Sequence, residues 1–176
     1  HSFIHLKQRP FIRHYDRCFQ YLARYTVAVS EQVRQEYSRI GVSAQRVQII
    51  RNGVECADRM VPAAEKRALR SPLLADCDES ARAALKAGIA STWVLALARL
   101  HPRKGQDHLI TLWGKAPAEW RKRCLLIFAG PETSDGELNR LRNMAAAQPD
   151  ADRILYVGAS SSPLSWLQAS DVFASA

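Results

Sequence analysis

Short apolar runs alternate with amphipathic stretches along this chain, and the alternation becomes regular from Ser91 onward. STWVLALA (91–98) is an apolar run of strand length, CLLIFAG (124–130) a second, ILYVG (154–158) a third and DVFAS (171–175) a fourth. Between these runs the spacing of apolar residues changes from strand-like to helix-like. Leu109, Ile110 and Trp113 share one side of a helix predicted from Gly105 to Lys115. Leu138, Leu141 and Met144 form one stripe of a helix over 136–147, and PLSWLQAS (163–170) reads as a third. Strands that are apolar on both faces and alternate with helices predict a parallel sheet built of right-handed βαβ crossovers.

The amino-terminal part is less regular. Pro10 suits the first turn of a helix, and Phe11, Ile12, Tyr15, Cys18, Phe19 and Leu22 then recur on one amphipathic face, with Arg13, Arg17 and Arg24 on another. YTVAV (25–29) predicts a strand. Ser30 is the expected N-cap of the next helix, with Glu31 in its first turn and a stop near Gly41. RVQIIRNG (46–53) predicts a second strand, closed by a turn at Asn52-Gly53 where the backbone favours positive φ. Residues 55–90 lose the strand pattern. They carry Pro62, Pro72, many alanines and mixed charge, with a helix expected from Glu79 to Lys86 and a stop at Gly88; this stretch reads as a connector.

Composition narrows the class. With 176 residues and 47% hydrophobic content the chain builds a core, as one domain or parts of two, which excludes global disorder. No apolar run approaches the ~18 residues that span a bilayer. Cys18, Cys56, Cys77 and Cys124 are scattered without a CxxC pair, so neither a disulfide framework nor a zinc site is expected, and a reducing cytoplasm fits best. His1 and His5 share a helical spacing but lack the glutamate a zinc protease would place between them, and no metal is expected. The first residue is His rather than Met, which reads as a piece of a longer protein. The formal charge is +8, and residues 1–53 hold nine Lys/Arg against three Asp/Glu. Such a balance admits nucleic acid, an anionic membrane surface or an anionic substrate. The cations are not interleaved with an aromatic platform, which argues against nucleic acid.

The strongest candidate chemistry lies in VLALARLHPRKGQDHLITLW (94–113), where Arg99, His101, Arg103 and Lys104 separate two apolar segments. Arg99 falls at the carboxyl end of a predicted strand and Lys104 just before a predicted helix. In doubly wound sheets ligands bind at such strand ends, where helix N-termini add partial positive charge. No GxGxxG or GxxxxGK[ST] pattern occurs, so side-chain cations rather than a glycine nest would hold an anion. Arg103 and His101 read as rim residues. Gly130 and Gly158 end strands beside the same edge, and either a turn or a close approach to a ligand accounts for them. From residue types alone a solvated loop and an anion site remain equally open.

The order of segments favours the anion site. TVAVSEQVRQ, RVQIIRNGVE, LALARLHPRKGQDHLI, LLIFAGPE, ILYVGASSS and ASDVFASA together resemble the retaining glycosyltransferases of the GT-B fold, family 4, over nearly the whole chain. The resemblance implies an α/β protein with Rossmann-like parallel sheets. Residues 1–54 would be the end of an acceptor-side domain, 55–90 the interdomain connector, and 91–176 the first part of a nucleotide-sugar domain. It implies that Arg99 and Lys104 hold the donor diphosphate, that Gly130, Gly158, Ala159 and Ser160 approach the nucleotide through backbone groups, and that His1 matches a catalytic cleft histidine. No cofactor is implied beyond the nucleotide-sugar donor. The expected activity is hexosyl transfer, with retention, to a glycan or lipid-linked acceptor in cell-surface polysaccharide or glycolipid synthesis. The expected location is the cytoplasm, with peripheral contact between the Arg13, Arg17 and Arg24 face and an anionic inner membrane. In the family a pair of glutamates eight positions apart follows the strand matching Asp171–Ser175. They are not among these residues, so the isolated piece is expected to be inactive. A sugar-nucleotide epimerase of similar build and a basic nucleic-acid-binding module are the alternatives.

Overall fold

The computed structural model describes residue 18 and residues 22–53 and 61–176. The chain forms two compact units that divide between Asp58 and Arg59. His1, the helix expected after Pro10 with Arg13 and Arg17, and Val54-Glu55 lie outside the described residues.

In the first unit β1 (Thr26–Ala28) and β2 (Val47–Ile49) pair in parallel, Thr26 opposite Val47, with α1 (Glu31–Arg39) between them in sequence. A parallel pair requires such a crossover. Ser30 is the expected N-cap: its backbone is extended and its hydroxyl accepts from the Val33 amide at 3.2 Å. The second strand is shorter than its sequence pattern. It ends at Ile49, and Gly53 has no positive φ, so the Asn52-Gly53 expectation of left-handed backbone is not met.

The second unit is a four-stranded parallel sheet: β3 (Thr92–Leu97), β4 (Cys124–Ala129), β5 (Ile154–Gly158) and β6 (Val172–Phe173), in the order β5-β4-β3-β6. The helices are α2 (Ala63–Leu73), α3 (Glu79–Ala87), α4 (Gln106–Lys115), α5 (Ala118–Arg123), α6 (Glu137–Ala146) and α7 (Pro163–Ala169). Successive strand residues point to opposite faces, which splits the core in two. Trp93, Leu95, Leu125, Ile127, Leu155 and Val157 meet Leu73 of α2, Leu85 of α3 and Trp166 of α7 on one face. Val94, Ala96, Leu126 and Phe128 meet Ile110 and Trp113 of α4 and Leu141 of α6 on the other. Both faces are covered, so the strands are continuously apolar. Trp93 stacks on Trp166 with ring centroids 6.0 Å apart, and Phe128 stacks on Tyr156 at 5.2 Å.

Two differences from the sequence pattern have physical causes. Within residues 55–90, read as a connector, α3 is the helix expected from Glu79 to Lys86, with Gly88 after its end; α2 is added to it, and the two bury Leu73, Cys77, Ala81 and Leu85 in the core of the second unit. α2 turns Arg70 and Leu73 inward with Leu69 packed beside them, so its short apolar stripe is interrupted by a charged residue. The fourth strand is two residues rather than five because β6 pairs only with Val94 and Leu95 of β3 among the described residues. No helix among the described residues is long and apolar enough to cross a membrane.

Candidate functional site

The strand order points to a candidate site. From β3 the chain steps outward to β4 and β5, then returns to place β6 on the other side of β3. The sheet therefore reverses its winding between β3 and β6, and ligands of doubly wound sheets occupy the crevice at the carboxyl ends of the strands flanking such a reversal. The loop after β3 opens there.

Ala98 continues the ladder, its amide donating to the Ala129 carbonyl at 3.0 Å, and the buried Leu100 donates to Pro131 and accepts from Thr133. The loop is thus stitched to the segment leaving β4, and Arg99 is held between two fixed points. His101 then caps a single tight turn, Pro102–Lys104, its Nδ1 accepting from the Arg103 amide at 3.1 Å. Gly105 adopts left-handed backbone, φ 67°, and starts α4 without any side-chain cap. A Cβ on Gly105 would lie 2.7 Å from that of Ala176, so the chain leaving β6 lies against the start of α4. In the first turn the His108 amide is taken by the Gly105 carbonyl and by Asp107 Oδ1, at 3.0 Å each, which leaves the Gln106 and Asp107 amides without intrahelical acceptors beside the reversal.

Arg99, Arg103 and Lys104 are exposed on this loop. No side-chain hydrogen bond or ion pair engages Arg99 or Lys104 among the described residues. Nearby carboxylates are otherwise committed. Buried Glu137 takes both arms of Arg140, at 2.8 Å each, which hold its carboxyl below the usual range. Asp107 lies 3.8 Å from the same guanidinium, and Glu132 accepts the Leu138 amide at the start of α6. What remains at the loop is the unpaired positive charge of Arg99 and Lys104 beside a helix N-terminus, opposed by Asp107 in the first turn of α4, an arrangement that suits a multiply charged anion.

The glycines differ in kind. Gly130, φ 147°, donates to the Gly158 carbonyl at 2.7 Å, and a Cβ there would stand 2.1 Å from the Ala98 carbonyl oxygen. Glycine at 130 is demanded by the chain's own backbone. Gly158, φ 74°, faces open space, with nothing within 4 Å of a Cβ; Ala159 beside it is exposed, and Ser160 accepts the Ser162 amide through its hydroxyl. Gly130→Ala is expected to cost about 2–4 kcal/mol in urea denaturation because strain and a backbone clash combine. Gly158→Ala carries only the left-handed penalty of about 1–2 kcal/mol. Equal losses for the two would remove the distinction.

Gln106 was not singled out by sequence. It follows Gly105 and reads as an ordinary polar residue of a helix start, yet it is 2% exposed and its Nε2 donates to the Arg99 carbonyl at 2.9 Å. Its burial arises only when α4 folds against the sheet, and no periodicity marks it.

No family model matches this sequence, and no curated protein matches it. Solved structures do. HepE of Anabaena, in complex with UDP-glucose, superposes with a TM-score of 0.67 at 19% identity over 87% of this chain and 38% of the HepE chain. The lipopolysaccharide outer core galactosyltransferase WaaB, in its apo form, gives 0.56 at 18% identity over 83% of this chain and 33% of its own. An α,α-trehalose-phosphate synthase (UDP-forming) of Burkholderia vietnamiensis gives 0.58 at 14% identity over 86% and 38%. The chain spans little more than a third of the length of these neighbours. The likeness establishes the fold: an α/β chain of parallel sheets matching part of the GT-B glycosyltransferase architecture.

Proposed function

We propose that this chain forms the donor-binding part of a nucleotide-sugar glycosyltransferase. The observation that carries the reading is the pair of unpartnered cations, Arg99 and Lys104, beside the uncapped start of α4 at the winding reversal. The guanidinium fork suits bidentate contact with phosphate oxygens, and the ammonium adds a compact charge. Support comes also from neighbours of the same fold whose structures contain UDP or UDP-glucose.

In this reading the diphosphate of a UDP-type sugar donor sits across the loop, and Gly158, Ala159 and Ser160 flank the nucleotide. During transfer the bond between the sugar's anomeric carbon and the diphosphate oxygen breaks, and its electron pair leaves with the nucleoside diphosphate. Arg99, Lys104 and the amides of α4 stabilise the charge that accumulates on that leaving group. The sugar passes to an acceptor hydroxyl, which loses its proton. His1 is the proposed catalytic histidine on the acceptor side, and Arg13, Arg17 and Arg24 the proposed contact with an anionic membrane. A glycan or lipid-linked acceptor, retention of configuration and a role in cell-surface polysaccharide synthesis complete the proposal for the whole protein.

Titration calorimetry of the 176-residue chain tests the donor site. UDP and inorganic diphosphate are expected to bind, UMP at least about tenfold more weakly, because one charge-assisted contact is worth about 1.5–3 kcal/mol. Raising the salt should weaken both diphosphates. Absence of UDP binding, or equal affinity for UMP and UDP, would sink the donor reading. Isomerisation of a free UDP-sugar without acceptor would shift it to an epimerase.

A further inference from the structure

We propose that Gln106 is a positioning residue for the diphosphate site, acting through Arg99. The inference rests on the donor reading above for its ligand, a nucleoside diphosphate, and on geometry for its mechanism. Gln106 occupies the first position of α4, directly after the left-handed Gly105 and two residues after Lys104. Its side-chain amide reaches back across the loop to the Arg99 carbonyl at 2.9 Å. One side chain therefore closes the loop at its base, joining the residue that carries the guanidinium to the helix that follows the ammonium. Closing a loop in this way removes conformations in which Arg99 and Lys104 diverge, so that less ordering is left to be done when an anion arrives.

The other half of the same amide points to a functional rather than a stabilising role. Its Oε1 is buried and has no hydrogen-bond partner among the described residues. A buried acceptor left unpaired is destabilising, and methionine at this position would fill similar space without that penalty. A position where the sequence accepts a cost to stability while holding a binding loop in place follows the trade-off expected at functional sites. The hydrogen bond it makes is to the backbone of a proposed ligand-binding residue, and the backbone around it is otherwise fixed by Leu100.

Gln106→Met and Gln106→Glu separate the possibilities. Methionine removes the donor and the unpaired acceptor together. Glutamate keeps the shape, cannot donate when ionised, and adds negative charge beside the anion. In amide hydrogen exchange by NMR, both are expected to speed exchange at Leu100 and Lys104, whose amides donate to Pro131 and His101, by about tenfold, while the strands stay protected. The melting temperature of Gln106→Met should equal or exceed that of the parent. Calorimetry with UDP should show Kd raised about fivefold by Gln106→Met, a loss of one hydrogen bond's worth of preorganisation, and more by Gln106→Glu. In an Arg99→Gln background Gln106→Met should change UDP affinity by less than it does in the parent, since most of its effect passes through Arg99. Unchanged loop exchange, or a fall in melting temperature with loosening throughout the sheet, would overturn the positioning role. So would an undiminished effect of Gln106→Met in the Arg99→Gln background. A parent chain that fails to bind UDP counts against the donor reading, whereas the exchange and melting results decide the role of Gln106 in the loop by themselves.

Discussion

Replacing Arg99 and Lys104 together by glutamine is expected to weaken UDP binding by at least about a hundredfold, since each charge-assisted contact to phosphate contributes about 1.5–3 kcal/mol. The fold should not notice. Both side chains are exposed, and neither engages a protein partner among the described residues, so the melting curve should overlay that of the parent. This combination of a large binding effect and no stability effect separates a ligand site from a solvated loop. Arg103→Gln supplies the internal control. It removes the same charge from the same turn, but through a side chain read as a rim residue, and it should change affinity less than about threefold, the scale of a single screened surface charge. The salt dependence carries a second signature: the double variant should lose most of it, because the remaining contacts are backbone amides whose partial charges are small. If the double variant binds UDP as tightly as the parent, or if Arg103→Gln matters as much as Arg99→Gln, the diphosphate does not sit on this loop.

The sheet strands were legible for a physical reason that also limits what sequence can tell. Strands such as CLLIFAG are buried on both faces and therefore apolar throughout, which marks them without revealing their neighbours. The alternation with helices predicts parallel pairing. It does not say that β6 lies beside β3, and it is that placement which puts the loop at Arg99 beside a reversal of winding. Arg99 and Lys104 were visible because cations between two apolar runs violate the local pattern. Gln106 was not, because polar residues at helix starts are ordinary and its burial is a tertiary fact. The same blindness hid α2. Among its inward residues is an arginine whose carboxylate partner, Asp171, lies far along the chain in the loop before β6, and no local rule connects two charges so far apart.

That ion pair supports the second large effect. Arg70→Ala is expected to destabilise the second unit by about 2–4 kcal/mol, since it takes a buried guanidinium away from backbone carbonyls and from a part-exposed carboxylate. Arg70 is 2% exposed and distributes its donors over four partners: Nε to the Ala169 carbonyl at 3.0 Å, Nη1 to the carbonyls of Ile89 and Ser91 at 2.7 and 2.9 Å, and Nη2 to the Asp171 carboxylate at 2.6 Å. Its guanidinium also lies over the Trp93 ring, 4.6 Å from the centroid. One side chain thus joins α2, the turn before β3, the end of α7 and the entrance to β6. Asp171 in turn accepts the Trp93 amide at 2.8 Å, so losing the guanidinium leaves three carbonyls and part of a carboxylate to be solvated or strained. Lysine cannot restore the arrangement, because an ammonium lacks the planar fork that reaches these divergent acceptors; Arg70→Lys should recover less than half of the loss. Asp171→Asn keeps the Trp93 contact and should cost less than Arg70→Ala. All four tryptophans, residues 93, 113, 120 and 166, lie in the second unit, so urea unfolding followed by tryptophan fluorescence reads that unit alone. Because β6 pairs with only two residues of β3, its hold depends on this anchor and on Lys66, whose ammonium reaches the Ser170 carbonyl at 2.8 Å, and amide exchange at Ala174, bonded to the Leu95 carbonyl, should accelerate before exchange in β4 does. An Arg70→Ala protein as stable as the parent, or one in which β4 and β6 loosen together, would mean that α2 is held by Leu69, Leu73 and Lys66 and that the buried guanidinium contributes nothing to the edge of the site.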